Sequence, residues 1–185
     1  MFGFLGWVLS AGTVPAATIL GQVNFTGTVT LDAPLATATA FTAFSNVEVD
    51  SGTGDYNVPT LVPDGTAVTI TPFSFAPFTP PVVPLWTFSV AGTEYRFNLT
   101  TAAVVRETIG GNNFLSLSGT GLARITGFDD TLGDFTFSAQ QAVGAVGTTV
   151  TFSVENVVPS ITIPEPSASV LAGMCLLGAG CRRRR

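Results

Sequence analysis

The chain contains no histidine and no lysine, and its only cysteines, Cys175 and Cys181, fall near the C-terminus. Each absence removes a chemistry. Without histidine, lysine or a cysteine in the body, the common nucleophile–base pairs cannot be assembled. Zinc held by nitrogen or sulfur ligands is excluded on the same ground, as are disulfides within the body. Charge is scarce too, at 10% of 185 residues. The body holds three arginines (Arg96, Arg106, Arg124) against eleven acids, a net of −8, while Glu165 and Arg182 to Arg185 bring the whole chain to −5. An acidic body with no basic patch offers nucleic acid nothing to neutralise, so no nucleic-acid partner is expected.

What the chain has instead is threonine, 27 of them, with 20 glycines and 15 phenylalanines. This is the vocabulary of strands and turns. Apolar residues alternate with polar ones in repeated short runs, the period of half-buried strands. Val23, Phe25, Val29 and Leu31 oppose Asn24, Thr26, Thr28 and Thr30. Trp86 and Phe88 oppose Thr87 and Ser89; Tyr95, Phe97 and Leu99 oppose Glu94, Arg96 and Asn98. The same pattern recurs at Val68–Ile70, Leu115–Leu117, Phe135–Phe137 and Val150–Val154. No stretch of the body has a helical period. Turns are expected at Ser51–Asp55, Gly110–Asn113, Gly119–Gly121 and Asp129–Gly133, and Pro72–Pro84, with five prolines, is expected to be a connection or an edge. The expected fold is all-β: eight to ten strands in a two-sheet antiparallel sandwich of jelly-roll-like form over residues 18–160.

Carboxylates are the chemistry that remains. Glu94, Glu107 and Glu155 are the candidates for a hydrolytic acid pair, but their placement on polar faces and at a strand end reads as solvated surface, so no catalytic residue is assigned. Two acidic turns have the oxygen donors and adaptable backbone that calcium takes: Asp50 and Asp55 in one, Asp129, Asp130 and Asp134 in the other. Aspartate and glycine are also ordinary turn residues, and neither loop fits a known calcium pattern. No other cofactor is expected. Tyr56, beside the first loop, is the one ring that could stack on a sugar, but packing into the core or the turn is the reading its position favours.

The two ends have a different character. At the C-terminus, Pro164-Glu165-Pro166 precedes 14 apolar or small residues, Ala168 to Cys181, and then Arg182-Arg183-Arg184-Arg185. As a short helix the apolar run spans about 21 Å, less than the ~30 Å of a hydrocarbon core. Clustered arginines hold that end in the cytoplasm. The physical reading is a brief membrane hook with the body outside. At the N-terminus an apolar run, Phe2 to Leu9, leads to Val14-Pro15-Ala16-Ala17, small residues of the kind signal peptidase cleaves after. Residues 1–17 are expected to be a signal peptide. No cation precedes the run, so either the signal is atypical or the true start lies upstream of Met1, the reading preferred here.

The three-part tail over 164–185 resembles the PEP-CTERM sorting signal of exported bacterial proteins. The phrases Thr53-Gly54-Asp55-Tyr56, Leu85-Trp86-Thr87-Phe88 and Gly119-Thr120-Gly121 look like those of other such proteins. The resemblance implies an exosortase that recognises Pro-Glu-Pro and removes the transient membrane hook. It also implies a location in the envelope or outside the cell, and a link with exopolysaccharide or biofilm matrix. The expectation is a non-enzymatic envelope or matrix protein. Its alternative is a secreted carbohydrate- or calcium-dependent binding module.

Overall fold

The computed structural model describes residues 16–57 and 62–159. Among the described residues there are nine strands and no helix: β1 (Gly21–Leu31), β2 (Ala40–Gly54), β3 (Thr69–Ile70), β4 (Phe73–Ser74), β5 (Val82–Val90), β6 (Thr93–Ile109), β7 (Asn112–Ile125), β8 (Thr131–Ala142) and β9 (Thr149–Val158). The expected C-terminal helix lies outside the described residues. Alternation is obeyed almost throughout. In β8, Thr131, Gly133, Phe135, Phe137 and Ala139 are buried while every residue between them is exposed.

All nine strands are hydrogen-bonded into one antiparallel sheet, in the order β3-β5-β6-β7-β8-β9-β1-β2-β4. Its two ends then meet. The segment leading into β3 lies against β2: Val49 N–H donates to Thr66 O, Val68 N–H to Val47 O and Gly65 N–H to Val49 O, each at 2.8–2.9 Å. The result is an eight-stranded up-and-down barrel (β1–β3 and β5–β9), with β4 a short addition on the same edge of β2. The expected two-sheet, jelly-roll-like arrangement is therefore replaced by a single curled sheet in chain order. Alternation reveals which face of a strand is buried, and both architectures bury one face. What separates them is long strands that run on without a break, here 15 residues in β2 and 17 in β6. Register shifts at Asn24/Phe25, Thr26/Thr28 and Leu99/Thr101 mark irregularities of the kind that bend long strands.

Rings fill the barrel. Around Trp86 stand Phe25 at 5.0 Å (edge-on) and Phe97 at 6.1 Å (stacked), with Tyr56 and Tyr95 beyond. A second group gathers on Phe41, with Phe137 at 4.6 Å and Phe75 at 4.7 Å. Phe25 and Trp86, and likewise Phe41 and Phe137, come from strands that are not neighbours, so these contacts cross the interior. Each buried ring contributes roughly 1.5–3 kcal/mol.

Gly119 and Gly121, expected to form a turn, lie inside β7 on its inward face. A Cβ at 121 would strike the Asn98 carbonyl oxygen and meet the Phe97 ring at 2.7 Å, and one at 119 would strike the Thr101 carbonyl oxygen and meet Leu99 at 2.9 Å. The glycines therefore let the β6 backbone, with two of its large side chains, come close. The other expected turns shrink likewise: Ser51–Gly54 belongs to β2, and Gly133 to β8.

Because neighbours are antiparallel all the way round, the connections fall into two sets. Turns 55–57, 91–92 and 126–130 share one end of the barrel with the start of β1 and the end of β9; Gly21, first in β1, is the partner of Val158, last in β9. We call this the terminal end. The far end carries segments 32–39, 71–81, 110–111 and 143–148. Segment 32–39 closes it: Leu35 and Ala38 are buried, Gln141 Oε1 accepts from Leu35 N–H at 3.0 Å, and the Arg106 guanidinium donates to Ala38 O above the Phe75 ring.

Gly121→Val should lower stability by at least about 1–3 kcal/mol in urea unfolding, because its Cβ strikes the Asn98 carbonyl and the Phe97 ring. Gly147→Ala, where an added carbon meets nothing within 4 Å, should leave the midpoint nearly unchanged. Equal effects would contradict the inward placement of β7.

Candidate functional site at the terminal end

Of the five aspartates singled out as calcium candidates, Asp55 and Asp129 lie at the terminal end and hold a segment of the chain across it. Residues 16–20 lie across this end as a strap. Asp55 Oδ2 accepts from Leu20 N–H at 2.7 Å, and Leu20 O accepts from Asp55 N–H at 2.8 Å. Asp129 N–H donates to Ala17 O at 3.1 Å. Thr131 Oγ1 accepts from Ile19 N–H at 3.0 Å and donates to Asp129 O at 2.9 Å. These bonds hold Ile19 in the core, with no exposed surface. Gly54, at φ +60°, turns the chain into Asp55 where it passes Leu20, and any Cβ there would strike the strap backbone.

Asp130 is engaged differently, in an ion pair with Arg124. The Asp134 side chain is exposed on β8, while its carbonyl accepts from Asn156 Nδ2 at 2.6 Å. Asp50 is exposed on β2. Among the described residues no three acidic side chains converge as a metal site needs. The two loops are thus brought to one strap.

Tyr56 is fully buried. Its ring stands between Trp86 and Tyr95, and its hydroxyl faces Asn156 Oδ1 at 3.5 Å. It has no face to offer a sugar: of its two readings, the favoured one, packing, is what the fold shows, and the carbohydrate role falls away. The physical reason is local: the turn after Gly54 folds Tyr56 inward over the end of the barrel. Burial, then the charge of Asp55 and the neighbouring Tyr95, push the Tyr56 hydroxyl far above the ordinary tyrosine range. Burial and Asp55 also raise Tyr95. Glu94, Glu107 and Glu155 are exposed on β6, β6 and β9. Glu94 lies near the terminal end of β6 and Glu107 near the far end.

Thr131 and Asn156 went unremarked in the sequence, yet they left a signal. Both occupy inward positions of an alternating strand, Asn156 directly after Val150, Phe152 and Val154. Polar residues in that register need partners. The strap and a neighbouring carbonyl supply them.

The sorting residues Pro164, Glu165, Pro166 and Arg182 to Arg185 lie outside the described residues. Residues 162–185 match the PEP-CTERM protein-sorting motif, beginning just past the last strand. No curated protein and no solved structure matches the chain. The tail is a PEP-CTERM motif, and it marks the chain as an exported, envelope-associated substrate of an exosortase.

The two tyrosines of the chain, Tyr56 and Tyr95, provide a check on this end. Their native hydroxyls hold protons more tightly than the unfolded chain does. The stability this lends is complete below about pH 10 and is lost as pH rises above it. An ultraviolet alkaline titration should show tyrosinate appearing only with cooperative unfolding. Reversible ionisation of a tyrosine near pH 10 in the folded protein would contradict the burial.

Proposed function

We propose that the protein is a non-enzymatic component of an extracellular polysaccharide or biofilm matrix, delivered by its tail and left at the cell envelope as a barrel after exosortase processing. The observation that carries this reading is a sorting motif joined by a few residues to a barrel with a hydroxyl-rich surface. Threonine, serine, asparagine and acids face outward and rings face inward, the reverse of a barrel that faces lipid. Water solvates such a surface, and a charge near −8 keeps it soluble in a hydrated matrix. The body has neither histidine nor lysine with which to build a common catalytic centre. Signal peptidase is the proposed partner at the other end. Cleavage after Ala16 leaves Ala17 first, the residue whose carbonyl already takes a bond from Asp129.

A second reading, a carbohydrate-binding module, has one feature in its favour. A shallow outer groove of about 500 Å³ crosses β6, β7 and β8, lined by Thr101, Ser118, Thr120, Asp134 and Thr136 together with Ala102, Ala103, Gly119 and Phe135, its exposed surface mainly apolar. Its hydroxyls suit a polysaccharide chain, although Thr101 and Thr120 already bond one another and the Phe135 ring is buried, which leaves no exposed aromatic platform among these residues. Calcium at either acidic loop belongs to the same reading.

Intact mass of the protein from membrane and medium, in hosts with and without the exosortase, tests the first reading. With the enzyme, a species ending near Pro164–Pro166 is expected; without it, the chain should keep Arg182–Arg185 and stay with the membrane. A tail retained in both would contradict the processing. Thermal melting with host polysaccharide or with calcium separates the second, since a ligand of the native state raises the midpoint. Turnover of a polysaccharide by the purified barrel would overturn the non-enzymatic role.

A further inference from the structure

One phenylalanine stands apart from the others. Every other phenylalanine among the described residues is buried in the core or packed against it. Phe114 is neither. Alternation puts it on the outer face of β7, half-buried, and it touches no other aromatic ring among the described residues. A lone apolar side chain on a surface needs no explanation; the company this one keeps is what singles it out. Phe114 walls a shallow groove of about 330 Å³ across β7, β8 and β9, lined by the outward Ser138, Gln140, Thr151 and Ser153 and by the backbone of the inward-facing Ala139 and Phe152. Phe114 pairs with Gln140, and Ser138 with Ser153, which brings Thr151 level with Gln140. Ring, amide and hydroxyl therefore stand in a row over about 10 Å, two strand spacings.

None of these four polar side chains makes a hydrogen bond among the described residues. Elsewhere on the wall, hydroxyls are bonded to the barrel itself: Thr28 and Thr42 donate to Ser45 O and Thr30 O, and Thr101 and Thr120 bond one another. The contrast is closest at Gln141, whose amide is committed to Leu35 N–H and Gly147 O, while Gln140 beside it keeps its donors and its carbonyl free. The exposed surface of the groove is about evenly polar and apolar, and no charged side chain lines it.

We propose that this groove binds a neutral polysaccharide, with the C–H face of one sugar ring against Phe114 and the sugar hydroxyls bonded to Gln140, Ser138, Thr151 and Ser153. The inference rests on the carbohydrate-binding reading and gives it a second groove, on the β7–β9 wall. A pyranose is divided in the same way, with C–H groups on its faces and hydroxyls around its edge. An aromatic ring flanked by free amide and hydroxyl groups matches both parts. A wholly apolar ligand would leave the polar groups unpaired, and an ion would meet no opposite charge. The row is roughly two sugar units long, so the polymer crosses the strands. Glu107 is the cross-strand partner of Phe114 on its other side, and the body is acidic, so acidic glycans are repelled.

The test is titration of the full chain, in a zwitterionic detergent, followed by amide chemical shifts. The probes are gluco-, manno- and xylo-hexasaccharides, an alginate hexasaccharide and the host's own polysaccharide. A neutral probe should bind and shift the amides around 114, 140 and 151, and alginate should not. Phe114→Ala should weaken that binding at least about ten-fold through loss of the stacked ring, and Phe114→Trp should restore it. Because Phe114 lies outside the core, Phe114→Ala should keep the melting midpoint nearly unchanged; Gln140→Ala, which should also weaken binding, decides the matter if it does not. Neutral binding that neither variant weakens would overturn this site and leave the carbohydrate-binding reading standing. Binding of none of the probes would overturn both. Preference for alginate would overturn the neutral ligand. Self-association abolished by Phe114→Ala, in place of glycan binding, would make the groove a contact between copies and overturn the proposal.

Discussion

The seam between β1 and β9 is the constraint on which the rest of this molecule depends. Ten residue pairs, from Gly21↔Val158 to Thr30↔Thr149, join the first strand of the body to the last. Every other major pairing is between strands close in sequence. This one spans almost the whole domain, and its loop-closure entropy is correspondingly the largest. With it, the sheet has no long free edge. Without it, β1 and β9 would each present a row of unpaired backbone groups, the template for aggregation that closed barrels avoid.

The strap and the buried polar residues serve that seam. Thr131 and Asn156 sit on the strands flanking it and satisfy backbone groups of the strap and of β8. Asp55 fixes the strap from the other side. A partly bonded network would cost more than an apolar core of the same shape. Its near-complete pairing fastens residues 16–20 across the terminal end of the barrel.

How much was legible follows from what alternation encodes. The inward positions of β1, β5, β6, β8 and β9 were readable because one face of each strand is apolar and the other carries threonine, serine or charge. The closure was not, since inward and outward positions look alike in a sandwich and in a barrel. β2 was obscured by its run of small residues and by Asn46, which takes φ +51° and breaks the two-residue period. Gly119 and Gly121 read as a turn because glycine serves turns and tight packing equally; the close β6 carbonyls and the Phe97 ring tell them apart. The inward packing of Tyr56, the favoured reading of its position, is what the fold shows. The tail was legible outright, because a sorting signal is read as sequence.

Function and fold divide along the same line. The tail determines delivery, and the barrel is a water-solvated body attached to it by a short spacer at the terminal end. Closure of that body is the claim to test first, by site-resolved amide hydrogen exchange on residues 18–163. The account predicts slow exchange at Val49 and Val68, whose N–H groups bond across the β2–β3 closure, and at the paired amides of β1 and β9, comparable with the centre of β6 and β7. Rapid exchange at Val49 and Val68, as on an open edge, would contradict the barrel; rapid exchange along β1 and β9 would remove the seam and the shared terminal end with it.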